Sequence, residues 1–200
     1  MKFSKQFKKS FSYTWYLYLL ALVIPSLLFT FSFSFMHRPK EYEILSLFLS
    51  CNLTENAEDK FYEEVKDFNI KKAELVNADP YNTEVGFDQK LSVVGYNRCD
   101  LIVLPLEECD SVGIFTVALE FDEEIKNFCK IEGENLYTFD GKTCGVELSH
   151  DSPLMKFGDF KKDINYYAFL NAKSYNIGDY SLHNPHTDNA FKLMQYALGK

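Results

Sequence analysis

The chain has 200 residues and a net charge of −8, a length that corresponds to one or two domains. Residues 1–37 contain four lysines and no acid, whereas the remainder contains 17 basic and 29 acidic residues, a net charge of −12. This charge argues against nucleic-acid binding, which needs clustered Lys and Arg. Lysine outnumbers arginine 19 to 2, which is typical of an AT-rich genome. We therefore expect the source organism to be a low-GC Gram-positive bacterium.

The first element is an uncharged apolar segment at residues 11–36. It exceeds the about 20 residues that a helix needs to span a bilayer, and the preceding lysines favour a cytoplasmic N-terminus. We therefore expect a single-pass anchor with the domain outside the cell. The predicted regions are a basic cytoplasmic tail at 1–10, a transmembrane anchor at 11–36, a linker at 37–40 and an extracellular domain at 41–200.

A cleaved signal peptide is the alternative for this segment. Ser32-Phe33-Ser34 has small residues at the spacing that signal peptidase prefers. The apolar stretch is longer than the roughly 7–15 residues of a signal sequence, which favours the anchor. A lipoprotein signal at Cys51 is disfavoured because it lies far along the chain and lacks the usual preceding residues.

The domain begins with a strand–helix–strand pattern. Residues 41–50 predict a strand, and 57–68 predict a helix that Asn52 or Thr54 caps and that has Phe61, Tyr62, Val65 and Phe68 on one face. A second strand is predicted at 70–76, and a helix or loop at 87–94. The third strand, 101–104, is an unbroken apolar run that indicates burial on both faces.

The second half of the domain is less regular. Residues 115–119 predict a short strand or a turn, and 122–128 a short helix. An Asp140-Gly141 turn predicts a hairpin with a return strand at 144–148. A further strand is expected at 166–171, and Asp188 can cap a last helix at 190–198.

These elements predict an α/β fold, namely one three-layer domain with a mainly parallel central sheet. Ligands of such sheets gather beyond the carboxyl ends of the strands. We call this predicted edge the lip, and it comprises Cys51, Asn52, Thr54, Asn77, Pro105, Glu107 and Glu108. The acids after the third strand fit a cationic or polyhydroxyl ligand or a partner's basic patch, and an exposed solvated loop is the alternative.

The order of these pieces resembles the two-lobed extracellular solute-binding proteins of bacterial ABC transporters, the class typified by maltose-binding protein. The resemblance lies in Arg98-Cys99-Asp100-Leu101-Ile102-Val103-Leu104-Pro105, in the Asp140-Gly141 hairpin with Gly145-Val146, in Tyr167-Ala168-Phe169-Leu170-Asn171, and in Asp188-Asn189 before a late helix. It covers residues 41–200 and implies a single periplasmic-binding-protein-like lobe. That family has two lobes and about twice this length.

A single lobe cannot close on a solute by itself. The resemblance therefore implies an accessory or binding subunit of an ABC transporter, with a permease or another membrane protein as partner and a small solute as a possible ligand. A stand-alone extracellular sensing or adhesion module is the alternative, and a secreted hydrolase is less favoured.

Five cysteines are present without a Cys-x-x-Cys pair. If the second, first and third strands are neighbours in that order, Cys51 and Cys109 leave the same edge, and a disulfide between them is one hypothesis; buried free thiols are the other. His183, His186 and Asp188 are weak candidates for a zinc site, with an exposed polar loop as the alternative. His150-Asp151-Ser152 lacks the nucleophile elbow of a hydrolase, so we expect neither an enzyme nor a cofactor.

Overall fold

A computed structural model describes residues 3–82, 86–182 and 187–200, with the backbone alone for residues 3–14. Its contacts divide the chain into two compact units, Met1–Pro39 and Lys40–Lys200.

The first unit is a long helix, α1, at Phe3–Met36. Its segment Trp15–Met36 is the one stretch within the described residues that is long and apolar enough to cross a membrane, and a signal sequence near an N-terminus has the same properties. Ser26 Oγ donates to Leu22 O and Thr30 Oγ1 to Ser26 O, each at 2.8 Å. These bonds satisfy both hydroxyls within the helix, as an apolar environment requires.

The second unit alternates strands and helices. Its strands are β1 Ile44–Leu49, β2 Lys72–Asn77, β3 Leu101–Pro105, β4 Leu136–Phe139, β5 Lys142–Glu147 and β6 Tyr166–Leu170. Its helices are α2 Ala57–Val65, α3 Phe87–Lys90, α4 Tyr96–Arg98, α5 Leu106–Cys109, α6 Glu123–Cys129 and α7 Asn189–Ala197, with a π-helical stretch at Leu91–Gly95. Single 3₁₀ turns lie at Glu41–Glu43, Lys66–Phe68, Ile114–Thr116, Pro153–Phe157 and Gly178–Tyr180.

The described strands form one six-stranded sheet in the order β2-β1-β3-β6-β5-β4. β1 is parallel to β2 and to β3, but β6 is antiparallel to β3 and β5, and β4 is antiparallel to β5. The sheet is therefore mixed: its β2-β1-β3 half is parallel, as predicted, whereas the pairs formed by β6, β5 and β4 are antiparallel. The reason is that β6, late in the chain, inserts in the opposite direction between β3 and β5.

The sheet separates two hydrophobic clusters, because successive side chains of a strand point to opposite faces. One cluster includes Leu47 and Val103 and is covered by α2, α6 and α7. The other includes Phe48 and Ile102 and is covered by the segments 87–98 and 106–117. This gives the three-layer α/β architecture that the sequence predicted.

β3 confirms the prediction of burial on both faces: each of its residues is buried, and it lies between β1 and β6. Asp100, which precedes it, is fully buried and accepts hydrogen bonds from Ser46 N at 2.6 Å, Ser174 Oγ at 2.6 Å and Asn176 Nδ2 at 3.2 Å. Burial raises the pKa of this carboxyl to about 6, against the effect of those donors. The network joins β1 and β3 to the segment after β6.

Local predictions had mixed outcomes. The Asp140-Gly141 turn is confirmed, since both residues have positive φ (49° and 79°) between β4 and β5. The predicted cap of α2 is wrong: its N-cap is Asn56, and Thr54 Oγ1 instead donates to Phe157 O at 3.3 Å. Tyr62, expected on the buried face of α2, is 38% exposed.

Candidate functional site

The carboxyl ends of β1, β2 and β3 meet at one edge of the sheet, and β6 begins there because it runs in the opposite direction. Backbone hydrogen bonds extend the pairing beyond the strands. Ser50 N donates to Val103 O at 3.2 Å, Ala78 N to Leu49 O at 3.1 Å and Leu106 N to Asn165 O at 3.0 Å. The segments that follow β1, β2 and β3 and the segment that precedes β6 are therefore held close together.

The two asparagines of the predicted lip, Asn52 and Asn77, join the ends of β1 and β2. Asn77 Nδ2 donates to Cys51 O at 3.2 Å, and Asn52 Nδ2 donates to Asp79 Oδ2 at 3.0 Å. Asp79 Oδ1 also accepts from Tyr81 N at 2.9 Å, which shapes the loop after β2 into an Asx turn. Asn52 is exposed and is available to a ligand, whereas the Asn77 amide supports the backbone.

Three other lip residues are structural. Pro105 is buried as the last residue of β3, and the Thr54 hydroxyl is bonded to the backbone of the segment before β6. Cys51 is buried beside Gly158, whose backbone pairs with that of Leu53. Burial, with the charges of Asp159 and Asp79, raises the pKa of the Cys51 thiol to about 12, so it stays protonated.

The acidic residues after β3 occupy the start of α5. Glu107 is exposed, and Glu108 is half-buried and accepts a hydrogen bond from Ser111 Oγ at 2.8 Å. Glu107 is therefore the predicted lip acid that is most open to solvent.

The structure adds residues that the sequence did not predict. Tyr81 lies in the loop after β2, and the Nζ of Lys161, from the segment before β6, is 3.2 Å from the centroid of its ring. The Tyr81 hydroxyl is buried beside Glu107 without a hydrogen bond of standard geometry. Burial raises the pKa of Tyr81 to about 12, and the charge of Glu107 adds to the effect.

We call Asn52, Asp79, Tyr81, Glu107 and Lys161 the rim cluster. It combines an aromatic ring, an exposed amide, two carboxylates and one ammonium at the edge where the topology predicts a ligand. Lys161 and Tyr81 were missed because each lies in a loop without a periodic pattern. Their place follows from the antiparallel direction of β6, which brings 159–165 to the carboxyl edge of β3.

The proposed Cys51–Cys109 disulfide is not formed. All five cysteines are buried free thiols, and these two belong to the hydrophobic clusters on opposite faces of the sheet. The sequence placed both at one edge correctly, but it did not predict that the side chains point to different faces.

His183 and His186 lie outside the described residues. Asp188 is described, and its Oδ1 forms an ion pair with Lys192 at 2.8 Å that lowers the pKa of its carboxyl. Within residues 3–82, 86–182 and 187–200, no three His, Cys, Asp or Glu side chains converge on a metal position. Ser152 is buried, and its Oγ donates to Ala197 O at 2.5 Å, so it serves the packing of α7.

No protein-family model and no curated protein matches the sequence. Two solved structures show a distant likeness: one described as "with acarbose", and the maltodextrin-binding protein MalE1 from L. casei BL23 without ligand. Each has a TM-score of 0.32 and 12% identity, over 52% and 53% of this chain respectively. The chain covers 29% of each of those chains, less than a third of their length.

Proposed function

We propose that this chain is a membrane-anchored extracellular subunit that acts by binding, with the architecture of one solute-binding-protein lobe, and that it serves an ABC transporter. The observation that carries the proposal is the rim cluster, in which side chains from three loops and from α5 meet at the carboxyl edge of the sheet. Binding sites of open α/β sheets occupy this edge. A single lobe presents it as an open surface suited to a solute or a partner protein.

The anchor is proposed from α1, whose segment Trp15–Met36 is long enough to span a bilayer. Its test is the intact mass of the protein extracted from membranes of the source cells. The expected mass includes residues 1–36. A mature chain that begins near Ser34 and is found in the soluble fraction would instead identify a cleaved signal peptide.

The transporter partnership is tested by purification from native membranes in mild detergent, followed by mass spectrometry. We expect permease subunits to accompany the full chain without added solute. A variant with Glu107→Lys and Asp79→Asn tests whether the rim cluster takes part, and Glu58→Lys, at an exposed position of α2, is the surface control. If the chain purifies without any other membrane protein, the accessory role is contradicted and a stand-alone sensing or adhesion module is favoured.

The absence of catalysis belongs to the same proposal. Its support is that Ser152 is buried and bonded to the backbone, so the His150-Asp151-Ser152 sequence does not present a nucleophile. A hydrolytic activity that is lost on His150→Ala replacement would contradict it.

A further inference from the structure

We infer that the rim cluster binds an organic ammonium ion and that Lys161 occupies the ammonium position while the site is empty. The inference rests on the proposed function, since it names the ligand class of the same surface. The place concerned is the face of the Tyr81 ring, together with the carboxylates of Asp79 and Glu107.

An ammonium group already occupies this face of the ring. The Nζ of Lys161 is 3.2 Å from the ring centroid of Tyr81, within the distance at which the electron-rich face of an aromatic ring attracts a cation. Lys161 is an exposed residue, so its ammonium has water as an alternative. The ring face thus already accommodates one ammonium group.

Release of Lys161 from the ring has a low energetic cost. Among the described residues its ammonium forms no ion pair, although seven other lysines do. Its backbone is fixed, because Lys161 N donates to Tyr166 Oη at 3.3 Å. The flexible four-carbon side chain can therefore leave the ring without any change in the loop.

A cation is favoured over a neutral polyol at this ring because the Glu107 carboxylate lies near it. The Tyr81 hydroxyl is buried beside the Glu107 carboxylate without a hydrogen bond of standard geometry, so its oxygen stays open to an N–H donor. Glu107 lies beside it, and Asp79 holds the Tyr81 backbone at 2.9 Å. The negative charges of Glu107 and Asp79 close to Tyr81 strengthen the attraction of a second ammonium group of a diamine.

The test uses the full chain in mild detergent at low salt and titration calorimetry with putrescine, a four-carbon diammonium ion. Its neutral isostere 1,4-butanediol is the control ligand. Lys161→Ala should bind putrescine roughly two- to fivefold more tightly than the unaltered protein, the strength of an exposed cation–π contact. Lys161→Arg keeps a cation over the ring and should bind like the unaltered protein.

The ring itself is tested in the Lys161→Ala background. Tyr81→Leu should remove the gain in affinity, whereas Tyr81→Phe, which keeps the ring, should retain most of it. Protection of the buried thiols from a maleimide dye verifies that each variant is folded. The inference is overturned if Lys161→Ala binds no tighter, if the diol binds as well as the diamine, or if Tyr81→Leu keeps the gain.

This outcome is separable from that of the proposed function. If a permease copurifies with the chain and putrescine shows none of these effects, the ammonium site is contradicted and the accessory role is supported. If putrescine binds as expected and no membrane protein copurifies, the ammonium site is supported and the accessory role is contradicted.

Discussion

Gly158 is the residue whose replacement tests the geometry of the lip most directly. It is buried with extended backbone angles (φ −150°, ψ 167°), so the backbone accepts any residue and the constraint is purely steric. A Cβ at this position would overlap Cys51 Sγ and lie 3.0 Å from Asn52 O. We expect Gly158→Ala to destabilise the domain by about 1–3 kcal/mol, the usual cost of overpacking a core.

The clash with Cys51 predicts a rescue. Cys51→Ala alone should cost about 1 kcal/mol, because it removes a small buried sulfur. In the double variant the alanine methyl fills the vacated space, and the two effects should couple favourably by at least about 1 kcal/mol. The residual contact with Asn52 O keeps the double variant from full recovery.

Thermal unfolding followed with a thiol-reactive dye is the suitable assay. All five cysteines are buried, and burial raises the pKa of Cys109 and Cys129 to about 12, so dye reaction reports unfolding of the domain. A loss of 2 kcal/mol lowers Tm by roughly 4–8 °C in a domain of this size. Tryptophan fluorescence is unsuitable, because the single tryptophan, Trp15, is in α1.

Gly86→Ala is the matched control, since its nearest heavy atom would be 3.4 Å away, an ordinary contact. It should change Tm by little. The reasoning would be refuted if Gly158→Ala were as stable as this control, or if the Gly158→Ala and Cys51→Ala effects were additive.

Three further predictions concern the rest of the domain. The native carboxyl of Asp100 keeps its proton up to about pH 6, whereas the unfolded one loses it near pH 3.9, so this group lowers stability by up to ~3 kcal/mol as pH rises through that window. Asp100→Asn should abolish that part of the pH dependence, and parallel unfolding profiles for the two proteins would contradict it. Gly145→Ala should cost about 1–3 kcal/mol in thermal unfolding, because its Cβ would lie 2.9 Å or less from ring atoms of Phe169; a Tm equal to that of Gly86→Ala would count against it. Denatured, alkylated but unreduced protein should carry five alkyl groups by intact mass, and a mass two groups short would reveal a disulfide.

The local sequence predicted the elements well where physical signals are strong. The unbroken apolar run predicted a strand buried on both faces, and β3 is such a strand. The Asp140-Gly141 pair predicted a hairpin turn, and both residues have the positive φ of that turn. The ends of the helices were predicted less accurately. Thr54 was expected to cap α2, but its hydroxyl has a tertiary partner at Phe157 O, and such a partner has no local signature.

The strand ends predicted which residues follow β1, β2 and β3 at one edge of the sheet, but not what their side chains contact. The strand ends identified Asn52 and Glu107, which do belong to the rim cluster. Cys51, Thr54 and Pro105 lie at the same edge but support the backbone or the core. Tyr81 and Lys161 are 80 residues apart in the chain, and their contact depends on the direction of β6.

Periodicity, turn chemistry and unbroken apolar runs depend on near neighbours, and for this reason the sequence by itself determined the apolar helix, the strands and the edge at which they end. Strand direction depends on which segments pack together after collapse. Only the tertiary structure decided that β6 runs antiparallel between β3 and β5, that Cys51 and Cys109 face opposite sides, and that Lys161 lies on Tyr81. In each case the determining contact joins residues far apart in the chain, where local sequence places little constraint on geometry.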